Sequence, residues 1–217
     1  KSYIYDIVTK EKKLVKEEIV PSGHLPDNYI VERLNCNSHD GKKIPLTITR
    51  HKKTKLDGNA NLLLYAYGSY GASMGPGFSS SRLSLINRNI IWVTAHIRGG
   101  MERGMNWWKQ GKMLNKKNTF KDYVATAKFL IEKKYTDKGK IIGMGGSAGG
   151  LLMGVVANEA PELFLGMIMT VPFVDTLTTN LNHSLPLTVT EFNEFGNAKE
   201  NKEHFDYIRS YSPYENI

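Results

Sequence analysis

Two nearly unbroken apolar runs, residues 62–67 (Leu-Leu-Leu-Tyr-Ala-Tyr) and residues 90–95 (Ile-Ile-Trp-Val-Thr-Ala), restrict the fold of this chain more than any other feature. A strand with one wet face alternates apolar and polar side chains. A run apolar at almost every position therefore reads as a strand covered on both faces, as in a parallel sheet between helices. Residues 141–144 (Ile-Ile-Gly-Met) form a third such run, and residues 165–171 read as a further buried strand. Helical segments separate the later runs: residues 79–88, residues 120–134 with Tyr123, Ala127, Leu130 and Ile131 in helical register, residues 151–158 and residues 203–211. The first fifty residues follow another pattern. Residues 3–8 and 13–20 read as a short hairpin, Pro21-Ser22-Gly23 breaks it, and residues 29–35 and 44–50 alternate around the turn His39-Asp40-Gly41-Lys42. The expected fold is α/β, a doubly wound and mostly parallel sheet entered through antiparallel strands.

Between the run 141–144 and the helix-like run 151–156 lies Gly145-Gly146-Ser147-Ala148-Gly149. A serine placed between a strand and a helix sits on a very sharp turn, and glycines two before and two after it remove Cβ atoms that would collide there. Such a turn lifts the hydroxyl out of the sheet and aims the first amides of the next helix at any negative charge forming beside it. Ser147 is thus the candidate nucleophile and the Ala148 N–H a candidate oxyanion donor. The five residues alone also fit a purely structural turn; the order strand, turn, helix is what the catalytic reading adds.

With 217 residues the chain has room for one sizeable α/β domain and not for a second. Apolar residues at 41% and charged residues at 23% are those of a soluble globular protein, and no apolar run approaches the roughly 20 residues of a membrane span. A single cysteine, Cys36, excludes an internal disulfide and fits a cytoplasmic location. The formal charge of +8 invites a nucleic-acid partner. However, the lysines fall in separate clusters (10–16, 52–55, 109–121, 133–140) without a nucleic-acid motif, so a solvated, lysine-rich surface is expected instead. No cofactor and no metal are expected. The chain begins without methionine, which suggests a piece of something longer.

A set of motifs then runs through nearly the whole chain: Tyr65-Ala66-Tyr67-Gly68-Ser69-Tyr70-Gly71, Phe78-Ser79-Ser80-Ser81-Arg82-Leu83, Ile97-Arg98-Gly99-Gly100, Lys116-Lys117-Asn118-Thr119-Phe120-Lys121-Asp122-Tyr123, the Ser147 turn, Val171-Pro172-Phe173-Val174-Asp175 and Tyr211-Ser212-Pro213-Tyr214. In order and spacing they resemble the catalytic domain of the oligopeptidase B group within the prolyl oligopeptidase family of serine peptidases. That resemblance implies an α/β-hydrolase domain over residues 21–217, with residues 1–20 as the end of a capping β-propeller and its connecting hairpin. It implies Ser147 as acylating nucleophile, the Tyr67 hydroxyl and the Ala148 N–H as oxyanion donors, and Tyr70 as the aromatic lining the first specificity pocket. It also implies that Glu191 holds an Arg or Lys side chain of a short basic peptide. Asn193 stands where these enzymes often have a second glutamate, Gly75 and Gly77 where some carry aspartates. Thr188 stands about where proline-specific relatives place a tryptophan, so basic-residue preference fits better than proline preference.

In the order Ser, Asp, His of this fold, the acid follows the second strand after the nucleophile and the histidine follows the third. Residues 165–171 are the one strand expected after Ser147, so the sheet is expected to be C-terminally incomplete, with acid and base beyond residue 217. His183, His204 and Asp175 lie downstream of Ser147 and read as loop, polar-helix and turn residues; His96 precedes it. Three readings stay open: a piece of a basic-residue-specific oligopeptidase that is inactive by itself, a catalytically dead binding module, or a small esterase or lipase using Asp175 and His183. Association through the sheet's open edge is expected in each case where the chain stands alone.

Overall fold

The computed structural model describes residues 1–217 except Ser22 and Pro76. A two-stranded antiparallel ribbon comes first, β1 (Ser2–Tyr5) and β2 (Lys12–Lys16), with every residue exposed. It does not join the main sheet. The main sheet has six strands: β3 (Tyr29–Asn37), β4 (Lys43–His51), β5 (Leu62–Tyr65), β6 (Ile91–Ala95), β7 (Ile141–Gly146) and β8 (Phe164–Thr170), ordered β3-β4-β6-β5-β7-β8. The pairs β3–β4 and β4–β6 are antiparallel, whereas β6–β5, β5–β7 and β7–β8 are parallel. This is the mixed, mainly parallel sheet of the α/β-hydrolase fold, entered through the alternating strands as the apolar patterning implies.

Seven helices accompany it among the described residues: α1 (Ser80–Ile86), α2 (Met105–Lys109), α3 (Lys117–Glu132), α4 (Ala148–Glu159), α5 (Thr176–Leu181), α6 (Phe192–Phe195) and α7 (Lys202–Arg209). Ser79 caps α1, its hydroxyl accepting the Arg82 N–H at 3.4 Å. Alternate residues of the central strands divide between two layers. Leu62, Leu64, Ile91, Val93 and Ile141 pack with Phe120, Tyr123, Ala127 and Leu130 of α3 and with α4. Leu63 and Trp92 point the other way and meet Ile86 of α1. Residues 148–156 of α4 are all buried, the environment that an apolar helix without a polar face requires.

The expectation of a buried strand at residues 165–171 is corrected by the position of β8. It is the last strand of the sheet, and no described strand pairs with its outer side. Leu165 is 62% and Ile168 44% exposed, while Phe164, Met167 and Met169 pack on the core. Its composition is that of a covered strand, but covering depends on neighbours that a strand's own sequence does not encode.

Candidate active site

Ser147 stands between β7 and α4 with φ 54° and ψ −120°. This left-handed backbone is unfavourable for a residue with a Cβ, and the surrounding bonds hold it. The Ser147 N–H donates to Thr170 O at 2.9 Å, and its carbonyl accepts from Gly150 N at 2.8 Å and Phe173 N at 3.1 Å. A Cβ at Gly145 would run into the backbone of Gly149, and one at Gly150 would lie 2.5 Å from Pro172 Cα. The Gly149 position is only tight, 3.1 Å from Ala66 O. The strict glycines of the turn are therefore 145 and 150, the second one place later than the sequence spacing implies. Ser147 is exposed, and its side chain makes no capping bond to α4, so the hydroxyl is free to face a ligand. Ala148 begins the helix, where first-turn amides lack an acceptor inside the helix.

Tyr67 lies two residues beyond the end of β5, next to Ser147. Burial pushes its phenol up, and the nearby Ser147 side chain offsets part of that rise. The phenol thus keeps its proton at neutral pH and can donate it in a hydrogen bond. Tyr70 also has a left-handed backbone, φ 57°, and its hydroxyl donates to Glu191 Oε1 at 2.6 Å. Burial first, and the bond and charge of Glu191 second, raise the Tyr70 phenol strongly. The rings of Tyr67 and Tyr70 are 6.1 Å apart, Tyr70 meets the edge of Phe195 at 5.9 Å, and Phe173 follows at 5.4 Å. Tyr67, Tyr70 and Glu191 therefore form one wall beside Ser147, although the four residues come from three distant stretches of chain.

The sequence reading misses Glu194, which is buried behind that wall. Its Oε2 accepts the Trp108 indole N–H at 2.9 Å, and its Oε1 stands 3.5 Å from Lys116 Nζ. Glu194 is three residues after Glu191 and so one helical turn away; that spacing is the signal that could have found it. Lys116 itself corrects the expectation of a solvated lysine surface, since its side chain is 1% exposed.

The other candidates lie apart. Asp175 caps α5, accepting from Thr178 N at 3.3 Å. The His183 ring packs on Phe192 at 5.1 Å, and His204 Nδ1 accepts from Asn197 N at 3.1 Å. Among the described residues, neither histidine bonds to Ser147 or to Asp175, so the esterase arrangement is not assembled. His96 is buried between Glu102, at 3.3 Å, and Thr47, at 2.8 Å. Thr188 is buried and bonded to Thr179 O at 3.1 Å, whereas Asn193, Gly75 and Gly77 are exposed. Among the described residues no three His, Cys, Asp or Glu side chains gather as a metal site, and no helix is long and apolar enough to cross a membrane.

Comparison with known proteins agrees with this geometry. The model of the prolyl oligopeptidase family matches residues 76–217. Dipeptidyl aminopeptidase BI of Pseudoxanthomonas mexicana is 47% identical over 216 residues, which cover 98% of this chain and 30% of that protein. Protease 2 of Moraxella lacunata is 43% identical over 212 residues, 98% of this chain and 31% of the relative. Oligopeptidase B from Leishmania major superposes with a TM-score of 0.94 at 42% identity, covering 99% of this chain and 30% of its own. Oligopeptidase B from Trypanosoma brucei with covalently bound antipain, in a closed form, gives 0.94 at 40% identity over the same shares. The chain spans about 30% of the length of the relatives it matches.

Proposed function

Since the chain belongs to the prolyl oligopeptidase family of serine peptidases, we propose that it carries the nucleophile, the oxyanion donors and the acyl-side pocket of an oligopeptidase that cuts short peptides after Arg or Lys. The observation that carries this reading is the strained Ser147 turn with the Tyr67 phenol close beside it. Ser147 Oγ attacks the scissile carbonyl, a base takes its proton, and the carbonyl oxygen becomes an oxyanion between the Ala148 N–H and the Tyr67 O–H. Each such donor contributes about 3 kcal/mol at the transition state. The protonated base gives its proton to the leaving nitrogen, collapse expels the amine and leaves an ester on Ser147, and water, deprotonated by the same base, then hydrolyses the ester.

Glu191 receives the guanidinium or ammonium of the residue before the cut. Tyr70 occupies Oε1 at 2.6 Å and fixes the carboxylate, and the Tyr70 ring, backed by the buried Phe195, offers an apolar wall to the stem of a long basic side chain. Thr188, turned inward onto Thr179, offers no ring for proline to stack on. No described histidine is placed to serve as base, so residues 1–217 by themselves are expected to turn over no peptide; activity belongs to a protein of the relatives' full extent. Residues 1–20, whose ribbon is exposed throughout, are read as the end of a neighbouring propeller.

The test uses the full-length protein. Ser147→Ala abolishes turnover and fluorophosphonate labelling. Glu191→Gln lowers kcat/KM for a peptide with Arg before the cut by about 30-fold, the loss of roughly 2 kcal/mol of charge-assisted bonding, and affects a norleucine peptide far less. An unchanged preference for Arg over norleucine overturns the basic pocket; labelling that survives Ser147→Ala overturns the nucleophile.

A further inference from the structure

Lys116 touches no position that a substrate would occupy, yet its side chain meets both halves of the cleft wall. It precedes α3, and its Nζ donates to Gly68 O at 2.8 Å and Ser69 Oγ at 2.6 Å. It stands 3.5 Å from Glu194 Oε1 and 5.3 Å from the centre of the Phe195 ring. Gly68 and Ser69 are the two residues between Tyr67 and Tyr70. Their segment is closed in from the far side as well, because a Cβ at Gly68 would lie 2.5 Å from Thr119 Cγ2 and 2.8 Å from Ile97 Cδ1. Glu194 lies on the turn that follows Glu191, and Trp108 anchors its other oxygen.

We infer that Lys116 is a positioning residue whose ammonium fixes the Tyr67–Tyr70 segment against the Glu191–Phe195 turn, and so sets the separation between the oxyanion phenol and the pocket carboxylate. This rests on the roles proposed above for Ser147, Tyr67 and Glu191. The ammonium donates to a carbonyl and a hydroxyl here, and its third N–H is left to the carboxylate of Glu194, an ion pair at 3.5 Å whose facing oxygen has no other hydrogen-bond partner. A neutral amine has two N–H donors, and it leaves Glu194 as a buried carboxylate without a cation. Burial pushes Lys116 down to about 8, against the opposing pull of Glu194. The other ionisable groups facing this cluster are Glu191 and Glu194 on the turn, Tyr67 and Tyr70 on the segment after β5, and Tyr211 beyond α7. The three phenols are all pushed up by burial, so Lys116 is the group that changes charge just above neutrality.

The experiment is a pH profile of kcat and KM from pH 6 to 10 on the full-length protein, with a peptide carrying Arg before the cut. The wild type shows an alkaline limb in kcat/KM near pH 8. Lys116→Met lowers kcat/KM at pH 7 at least tenfold and abolishes the limb, and Lys116→Arg, permanently charged, restores activity and also lacks it. Glu194→Gln removes the partner that holds the proton on, so the limb moves about one unit toward acid. A limb unmoved in Lys116→Met and in Glu194→Gln overturns the inference, whatever either substitution does to stability. Should Lys116→Met not fold, the Glu194→Gln profile decides alone: a limb that stays in place overturns the inference, and one that shifts supports it. Failure of the underlying reading would look different, as turnover that persists in Ser147→Ala.

Discussion

Arg98 and Lys116 are cations buried to the same degree, 1% exposed, and the structure treats them in opposite ways. Arg98 lies just beyond β6 and presents its guanidinium fork to two carboxylates. Nε and Nη2 donate to Asp122 at 2.9 and 2.6 Å, and Nη1 donates to Asp40 at 2.7 Å. Burial by itself would lower the guanidinium; the bonds to Asp122 and Asp40 outweigh it and raise it. Lys116 has one carboxylate, at 3.5 Å, and there burial wins. Arg98 thereby joins the β3–β4 turn, the loop after β6 and α3 into one unit that a rise in pH does not release, since the guanidinium keeps its charge. Lys116 holds its segments with a charge that can come off. Depth of burial is the same in the two regions, so it is the number and geometry of the partners that decides what each charge can do.

Unpairing Arg98 is the strongest way to break this contrast. Asp122→Ala leaves the guanidinium with the partly exposed Asp40 alone, and loss of one partner of a buried pair costs about 3–5 kcal/mol. Urea unfolding read through Trp107, whose ring lies 5.7 Å from the guanidinium, measures it. A loss under about 1 kcal/mol would show that this joint is not what holds the three elements.

A smaller effect sharpens the comparison from the side of Lys116. Its folded-state value, about 8, lies below the ordinary 10.5, so between these limits the unfolded chain binds a proton that the folded chain does not. Stability from this group therefore rises with pH, by about 2 kcal/mol between pH 8 and 9.5, and Lys116→Met removes the rise. Arg98, charged in both states, contributes no such slope. Above about pH 10 the buried Tyr123 and Tyr211, raised by burial, keep protons that unfolded tyrosines lose, and they reverse the trend. An unfolding free energy of the wild type that stays flat, or falls, from pH 8 to 9.5 would contradict a Lys116 pushed down by burial.

The exposed pair Lys202–Asp206 gives the lower bound. At 2.7 Å it is as short as any Arg98 contact to Asp40, yet it lies at 84% and 57% side-chain exposure. Lys202→Ala should change stability by about 0.3 kcal/mol, vanishing in high salt. A loss above about 1 kcal/mol would mean that distance, and not partner geometry with burial, ranks these pairs.

The sequence exposes the parts of this architecture that depend on local pattern. The covered strands β5, β6 and β7 are legible because their runs leave no polar face, and the Ser147 turn because a serine between strand and helix needs glycines beside it. Lys116 is not legible, since it stands among lysines at 109–121 of which most are solvated, and nothing local marks the one that turns inward. Glu194, inside a polar and aromatic stretch, is marked only by its three-residue spacing from Glu191. The helices α2, α5 and α6, of five, six and four residues, are too short to display a helical period. The edge position of β8 depends on what lies beside it, which its own composition does not state.

The strand order also has a consequence in time. β5 is bordered by β6 on one side and β7 on the other, and β7 comes 76 residues after β5 ends. A ribosome adding about 5–20 residues per second needs roughly 4–15 s to make that interval. Throughout it, the nascent chain holds a central strand with one side unpaired, composed of leucines and a tyrosine that solvent disfavours. The segment made meanwhile contains α3, whose apolar face packs on β5 in the finished fold, and the serine turn follows directly on β7. Vectorial synthesis thus delivers the nucleophile at the moment when the middle of the sheet first closes.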